Sequence, residues 1–364
     1  MPQPPGHHEP RIYAIYGTNP TVMAKEMLDQ ADVAASVPSG ARISLKPNLV
    51  VSRPAAGGAT THPEIVAGII EYFRDHGCHD IEIIESAWVG DDTARAFANC
   101  GYVDLAKKYG VVLHDLKADS STPVPTPAGT IRICDRALAA DFLVNVPVLK
   151  GHCQTRMTCA LKNMKGCIPD TEKRRFHRDG LDQCIAALAA VLKPHLTLVD
   201  GICGDVDFEE GGNPVTANRM FLARDSVAMD AYGATLMGIP PAEVGYIGLA
   251  EKYGAGTMNV AAGDIVELNH PAPGTPSGAS GMVAQLVRDV RADGACSACY
   301  ANLVHALKRS GRRRRAQGPI HIGQGWRNAR PSGIGIGDCC RGVVGTCVPG
   351  CPPTALAIVA AISE

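Results

Sequence analysis

Short runs of apolar, often β-branched residues recur along the first two thirds of the chain, separated by longer stretches with helical spacing of apolar positions. The runs Arg11–Tyr16, Arg42–Lys46, Asp80–Glu85, Val111–His114, Asp141–Val146 and Leu196–Asp200 predict strands. The stretches Thr21–Ser36, His62–His76, Thr93–Tyr109 and Gly180–Leu192 predict helices. Strands apolar along nearly their whole length are covered on both faces. The pattern therefore predicts an α/β fold with a largely parallel sheet flanked by helices.

In such a sheet ligands bind beyond the C-terminal ends of the strands. Those ends are polar here. One run finishes in Lys46-Pro47-Asn48 and is followed by a glycine-bearing loop to His62-Pro63. Others finish in Glu85-Ser86 and Asp200-Gly201, and Asp141–Val146 leads to Lys150-Gly151-His152. A cleft on that rim is the expected ligand site.

The texture changes after about Ala261. A strand is expected at Asp264–Asn269, then a Pro/Gly/Ser linker at His270–Gly281, then a helix at Met282–Arg291. This divides the chain into a loose arm at residues 1–10, an α/β domain at 11–281 and a small C-terminal cysteine-rich domain at 282–364. In the last, a helix at Tyr300–Arg309, strands at Pro319–Gly323 and Gly333–Gly337, and a final helix at Thr354–Ile362 are expected.

Composition narrows the function classes. With 364 residues and 46% of them hydrophobic, the chain can bury a substantial core. A formal charge of -1 gives no basic excess for a nucleic-acid binder. No apolar run is long enough to span a membrane, and Met1–Arg11 lacks the apolar segment of an export signal. A cytoplasmic protein is expected. Fourteen cysteines are then a metal or redox signal rather than a disulfide framework.

Eight of the cysteines are scattered, as buried fillers would be. The other six fall between Cys296 and Cys351. Cys296-Ser-Ala-Cys299 lets two thiolates reach one centre, and a distant second pair closes the site. Such soft ligands suit zinc or iron–sulfur chemistry. Proline after Cys351 recurs after ligating cysteines in cluster proteins, and the second pair lacks the Cys-x-x-Cys form of zinc ribbons, so one 4Fe-4S cluster is favoured. The expected ligands are Cys296, Cys299, Cys339 and Cys351, with Cys340 and Cys347 as possible substitutes.

The chain resembles the iron–sulfur protein family catalogued as domain of unknown function 362. The likeness is carried by Leu45-Lys46-Pro47-Asn48, Thr61-His62-Pro63-Glu64, Leu149-Lys150-Gly151-His152, Thr158-Cys159-Ala160-Leu161-Lys162-Asn163, Val199-Asp200-Gly201, Asp225–Asp230, Met237-Gly238, Cys296-x-x-Cys299 and Val348–Pro353. It implies an α/β domain with, in many members, a cysteine-bound cluster. A fainter fold-level likeness of the first 160 residues is to the N-terminal domain of lactate racemase.

On this basis the rim residues receive roles. Lys46, Asn48, Asn163, Asp200 and Asp230 are candidates for binding a small anionic substrate, and His62, Glu85, His152 and Lys162 for catalysis. Lys162 could also bind the anion, or act as a base if burial lowers its pKa. His62 opens a helix whose N–H groups favour anions. Each has a structural alternative: a solvated loop for Lys162 and Asn163, a capping or core position for His152, turns or caps for Asp200 and Asp230. Asp205–Gly212 reads as an acidic lid, and Arg312–Arg315 as a solvated loop or a docking patch for an acidic redox partner.

The expected function is an iron–sulfur oxidoreductase acting on a small anion. The alternatives are a non-catalytic electron carrier or cluster-delivery factor, and a redox-neutral lyase or isomerase in which the cluster is a Lewis acid or a staple. No G-x-G-x-x-G follows a strand, so a Rossmann nicotinamide site is not expected.

Overall fold

A computed structural model describes residues 12–271, 286–310 and 318–363. The basic tract Arg312–Arg315, the arm at 1–10 and residues 282–285 of the expected linker helix lie outside the described residues. The chain divides into two compact units. One comprises the described residues up to 151, together with 157–206 and 210–271. The other gathers His152–Arg156, Asp207–Glu209 and the described residues after 285.

In the first unit the strands are β1 (Ile12–Tyr16), β2 (Ile43–Pro47), β3 (Ile81–Glu85), β4 (Val112–Asp115), β5 (Ser121–Thr126), β6 (Gly129–Cys134), β7 (Phe142–Val146), the three-residue β8 (Lys150–His152) and β9 (Arg156–Thr158), which run across its boundary, then β10 (Leu196–Asp205), β11 (Pro214–Ala223) and β12 (Ile265–Glu267). Eight of the described strands form one sheet in the order β12-β1-β11-β10-β7-β2-β3-β4. From β10 to β4 neighbours run parallel; β11 runs antiparallel to both β10 and β1. The fold is thus α/β with a mostly parallel sheet.

Alternation along the strands builds a core on each face. Leu198, Met220, Leu222 and Val144 enter one layer with Met27, Ile69 and Phe73 of the helices Pro20–Gln30 and Pro63–Asp75. Val199, Phe221 and Leu143 enter the other with Ile185 and Leu188 of the helix Leu181–Val191. Neighbouring residues of one strand therefore serve opposite layers, which fixes its register.

Three sequence expectations change. Thr93–Tyr109 is two helices, Thr93–Asn99 and Tyr102–Tyr109, because Gly101 sits at φ +81° and ends the first. Thr21–Ser36 begins one residue earlier and gives way after Gln30 to a separate 3₁₀ turn at Val33–Ser36. The C-terminal part of the helix expected at Met282–Arg291 is instead the start of strand β13 (Val290–Ala292), where Val290 pairs in parallel with Ile320.

The second unit carries a parallel sheet of β13, β14 (Ile320–Ile322), β15 (Ser332–Ile336) and β16 (Val344–Val348) in that order. Ile320, Ile322, Ile334 and Ile336 pack with Leu303, Leu307, Ile358 and Ile362 of the helices Ser297–Ser310 and Ala355–Ser363.

Candidate functional site

The parallel register places Lys46 of β2 and Glu85 of β3 at the C-terminal rim, where their side chains meet with Nζ–Oε2 at 2.7 Å. Both are almost fully buried, at 1% and 3% side-chain exposure. Lys46 Nζ also donates to the Pro47 carbonyl at 2.8 Å and to Asn163 Oδ1 at 3.1 Å, so its three protons are used. Glu85 accepts in addition from the N–H groups of Leu49 and Ser86. Lys46, expected to bind an anion, and Glu85, expected in acid–base chemistry, are thus paired with each other and with the adjoining loops.

Gly166 lies directly on this pair. A Cβ there would come 2.1 Å from Glu85 Oε1 and 2.6 Å from Lys46 Nζ, so only glycine lets the chain pass. Ser86 Oγ donates to the Gly166 carbonyl at 2.8 Å. Lys173, on the helix Asp170–Asp179, donates to Ser86 Oγ at 2.6 Å and to the Ala87 carbonyl at 2.7 Å. Burial lowers the Lys173 pKa while Asp170 and Glu85 oppose the shift.

Asn163 Nδ2 donates to Asn145 Oδ1 at 2.7 Å, and Asn145 Nδ2 to the Ala160 carbonyl at 2.9 Å. Asp230 accepts from the N–H groups of Ala160 at 2.6 Å and Leu161 at 3.2 Å, at the start of the short helix Ala160–Asn163. Burial raises its pKa to about 7, against those N–H groups and the side chains of Cys159 and Tyr246. Asp230, expected to bind substrate, caps the segment that carries Lys162 and Asn163. Lys162 is itself buried.

His62 is different. It precedes Pro63 at the start of a thirteen-residue helix, and its Nδ1 lies 2.8 Å from Asp200 Oδ2, which also accepts the His62 backbone N–H at 2.9 Å. Asp200 is wholly buried and takes a third bond from the Ile202 N–H. An ionised acceptor at Nδ1 puts the neutral ring's proton there and leaves Nε2 as the basic nitrogen. The ring keeps 17% exposure. Burial pulls its pKa down, but the hydrogen bond and charge of Asp200, with Glu64, outweigh that and raise it above 6.5. Asp200, expected to bind substrate, instead positions His62.

Asn48 braces the neighbouring loop. Its N–H donates to Thr61 Oγ1, its carbonyl accepts from the Thr61 N–H, and its Oδ1 accepts from the Val50 N–H. Thr61 Oγ1 donates to the Val146 carbonyl, and Tyr102 OH to the Thr61 carbonyl. Asn48, expected to bind substrate, thus also holds this loop.

His152 belongs with the second unit. Its Nδ1 accepts from the N–H groups of Gln154 and Thr155, which places its proton on Nε2, 3.0 Å from Glu209 Oε2. Both nitrogens of His152, expected in catalysis, are engaged. Glu209 also lies within the expected acidic lid, Asp205–Gly212. Phe208 beside it stacks on His305 with the rings 3° from parallel, so this part of the segment is tied down.

A cavity of about 110 Å³ in the first unit is lined by Leu161, Met164, Lys193, Arg224 and Ser226, among others. Lys193 precedes β10 and Arg224 follows antiparallel β11, while Leu161 and Met164 flank Asn163. Arg224 bonds Ser36 Oγ and Lys193 bonds the Gly254 carbonyl.

In the second unit the expected ligand thiols act on one another. Burial, then the thiols of Cys296, Cys351, Cys339 and Cys340, push Cys299 up to about 12. Burial also raises Cys296, opposed by a hydrogen bond from Gln324 and reinforced by Cys339 and Cys351. Gly337, at φ +89°, has Cys299 Sγ 3.9 Å from where its Cβ would stand. Thiols gathered this closely, with Cys296 and Cys299 disfavoured as thiolates by their neighbours, suit a cationic centre, which discharges the repulsion. Cys340 is buried and points at the Gly323 carbonyl, and Cys347 at the Cys340 carbonyl. Among the described residues, no three His, Cys, Asp or Glu side chains converge tightly enough for a single metal ion.

Sequence reasoning missed Ser86, Lys173 and Asn145, and in the second unit Gln324. Lys173 lies in a strongly charged helix that reads as solvated. Asn145, polar within an apolar strand, was a visible signal.

The family model described as "Domain of unknown function (DUF362)" matches residues 43–235. The thylakoid-associated protein sll1697 of Synechocystis sp. is 26% identical over 252 residues, covering 65% of this chain and 74% of the relative. The lactate racemase apoprotein of Thermoanaerobacterium thermosaccharolyticum superposes with a TM-score of 0.42 at 14% identity, over 62% of this chain and 57% of the racemase.

Proposed function

The chain belongs to the DUF362 family, and from that premise we propose that it is an iron–sulfur redox enzyme acting on a small anionic substrate. Its second unit would hold one 4Fe-4S cluster through Cys296, Cys299, Cys339 and Cys351. The observation that carries this is the mutual influence of those four thiols across 56 residues of chain. The lack of a tight single-ion group among the described residues is compatible with it, since a cluster spreads its four thiolates more widely than one zinc ion does.

When bound, the cluster supplies one-electron chemistry. The α/β unit supplies the proton. His62, with Nδ1 held by buried Asp200, can donate or accept at Nε2, and the hydrogen bond and charge of Asp200 favour its protonated form against burial. A cationic imidazole at the start of a long helix favours an anion. Lys46, Glu85 and Asp230 act on the frame around it, by fixing the loops after β2 and β3 and the turn that carries Lys162. The number of free thiols fits a reducing, cytoplasmic setting. No helix among the described residues is long and apolar enough to cross a membrane.

A second reading, an electron carrier without a substrate, is favoured by the exposure of Cys351. The test is anaerobic purification followed by iron, sulfide and zinc analysis, with absorption spectra before and after dithionite. About four irons per chain with visible absorption that bleaches supports the cluster. Stoichiometric zinc without iron removes the redox mechanism.

A further inference from the structure

The cavity of about 110 Å³ in the first unit shares no lining residue with the His62–Asp200 pair. Its walls differ in chemistry. The inner wall is apolar: Leu161, Met164, Ala189 and Leu192 are all buried. Leu161 and Met164 belong to the short helical turns after β9, and Ala189 and Leu192 to the end of the helix Leu181–Val191. The outer wall carries Lys193 and Arg224, both exposed.

Neither cation is matched by a carboxylate among the described residues. Lys193 Nζ donates to the Gly254 carbonyl at 2.7 Å, and Arg224 Nη1 to Ser36 Oγ at 3.1 Å, both neutral acceptors. Each side chain keeps further N–H groups for another acceptor. Asp225, next to Arg224, is committed to the backbone: its Oδ1 accepts from the N–H groups of Val227 and Ala228, and its Oδ2 from that of Thr257. The cavity therefore joins an apolar wall to two positive charges left uncompensated at its open side.

We infer that this cavity is a second ligand site, for a short aliphatic carboxylate whose head meets Lys193 and Arg224 and whose chain lies on Leu161, Met164 and Leu192. Charge-assisted hydrogen bonds hold the head, and the apolar wall favours each methylene of the chain. An apolar cavity of about 150 Å³ holds one benzene ring, so this smaller one suits a chain of roughly four carbons. Inorganic phosphate would meet the cations but gain nothing from the wall. Leu161 and Met164 also flank Asn163, which bonds Lys46 and Asn145, so an occupant would pack on the segment that braces the Lys46–Glu85 pair. The inference does not depend on the cluster.

The test is an NMR titration of the full chain, labelled with carbon-13 at its methionine methyl groups, with acetate, propanoate, butanoate and pentanoate at constant ionic strength. Inorganic phosphate is the control, and Met164→Leu assigns the Met164 signal. The expected result is a Met164 shift that saturates with pentanoate, with affinity rising about fourfold for each methylene added. Arg224→Gln and Lys193→Gln should each weaken pentanoate about fivefold, and if one fails to fold the other decides. His62→Gln should leave the titration unchanged. A Met164 signal that stays still, or a shift abolished by His62→Gln, overturns the inference and leaves the proposed function standing. Equal responses to acetate, phosphate and pentanoate, or full affinity in the cation variants, overturn it as well.

Discussion

Asp200 accepts two hydrogen bonds from His62, one from its backbone N–H at 2.9 Å and one from Nδ1 at 2.8 Å. A single buried carboxylate thus fixes both where the helix Pro63–Asp75 begins and which nitrogen of the ring is left for chemistry. Asp200→Asn keeps the shape but removes the charge that raises the His62 pKa. The expected outcome is a lower His62 pKa by NMR titration and, once a substrate is known, a fall in kcat larger than the change in KM. An unchanged titration would detach Asp200 from His62.

The same pair sets a pH window for stability. The folded pKa of His62 lies above the usual value near 6.5, so the folded state binds the proton more tightly than the unfolded chain. Its contribution is fully present below about pH 6.5 and is lost as pH rises through the folded pKa. The difference in melting temperature between the parent and His62→Gln should therefore shrink on going from mildly acidic to alkaline solution. A difference that grows over that range contradicts the linkage.

Much of this arrangement was legible in the sequence and some was not. Apolar runs gave the parallel strands β2, β3, β7 and β10, and their polar ends marked the rim holding Lys46, Glu85, His62 and Asp200. Strand β11 was missed because its first half, Pro214–Asn218, reads as loop and only Met220–Ala223 is apolar. The pairings were also hidden. Lys46 and Glu85 stand 39 positions apart, and only the register of β2 on β3 decides that each cancels the other. Composition cannot distinguish an ammonium free to hold a ligand from one whose three protons are already committed.

The Lys46–Glu85 pair is expected to be costly to break. Removing one partner leaves the other charge buried and unpaired, so Lys46→Met should destabilise the first unit by about 3–5 kcal/mol. Lys46→Met combined with Glu85→Gln should recover part of that, because no charge is then stranded. Gly166→Ala should act like the single variant, since its methyl group would displace the Glu85 carboxylate. Urea unfolding of all three checks the order; a double variant no more stable than Lys46→Met would show that the pair is not the unit of stability.

Asp230 offers a separate probe of the turn bearing Lys162. Asp230→Ala strands the N–H groups of Ala160 and Leu161 in a buried place, at an expected cost of about 1–3 kcal/mol for each lost partner. Faster amide hydrogen exchange should be confined to Ala160–Asn163 and its surroundings. Protection unchanged there, with exchange rising in the helix Ser226–Leu236 instead, would make Asp230 a packing residue of its own helix.

The doubled cysteine at 339–340 and the extra one at 347 allow the ligand set to be tested. Cys339 is the member of the three that influences both Cys296 and Cys299. The charges that act on Cys347 are those of Arg341 and Asp338, and its thiol points at the Cys340 carbonyl. Cys340 influences Cys299 but is wholly buried against Gly323. Cys339→Ser should therefore lose most of its iron or retain a three-iron form, whereas Cys347→Ser should keep the parent's iron content and spectrum. Cys340→Ser should load iron yet unfold more readily, because a hydroxyl replaces a wholly buried thiol. Iron analysis after anaerobic reconstitution separates the three, and full loading of Cys339→Ser with loss in Cys347→Ser would transfer the fourth ligand to Cys347.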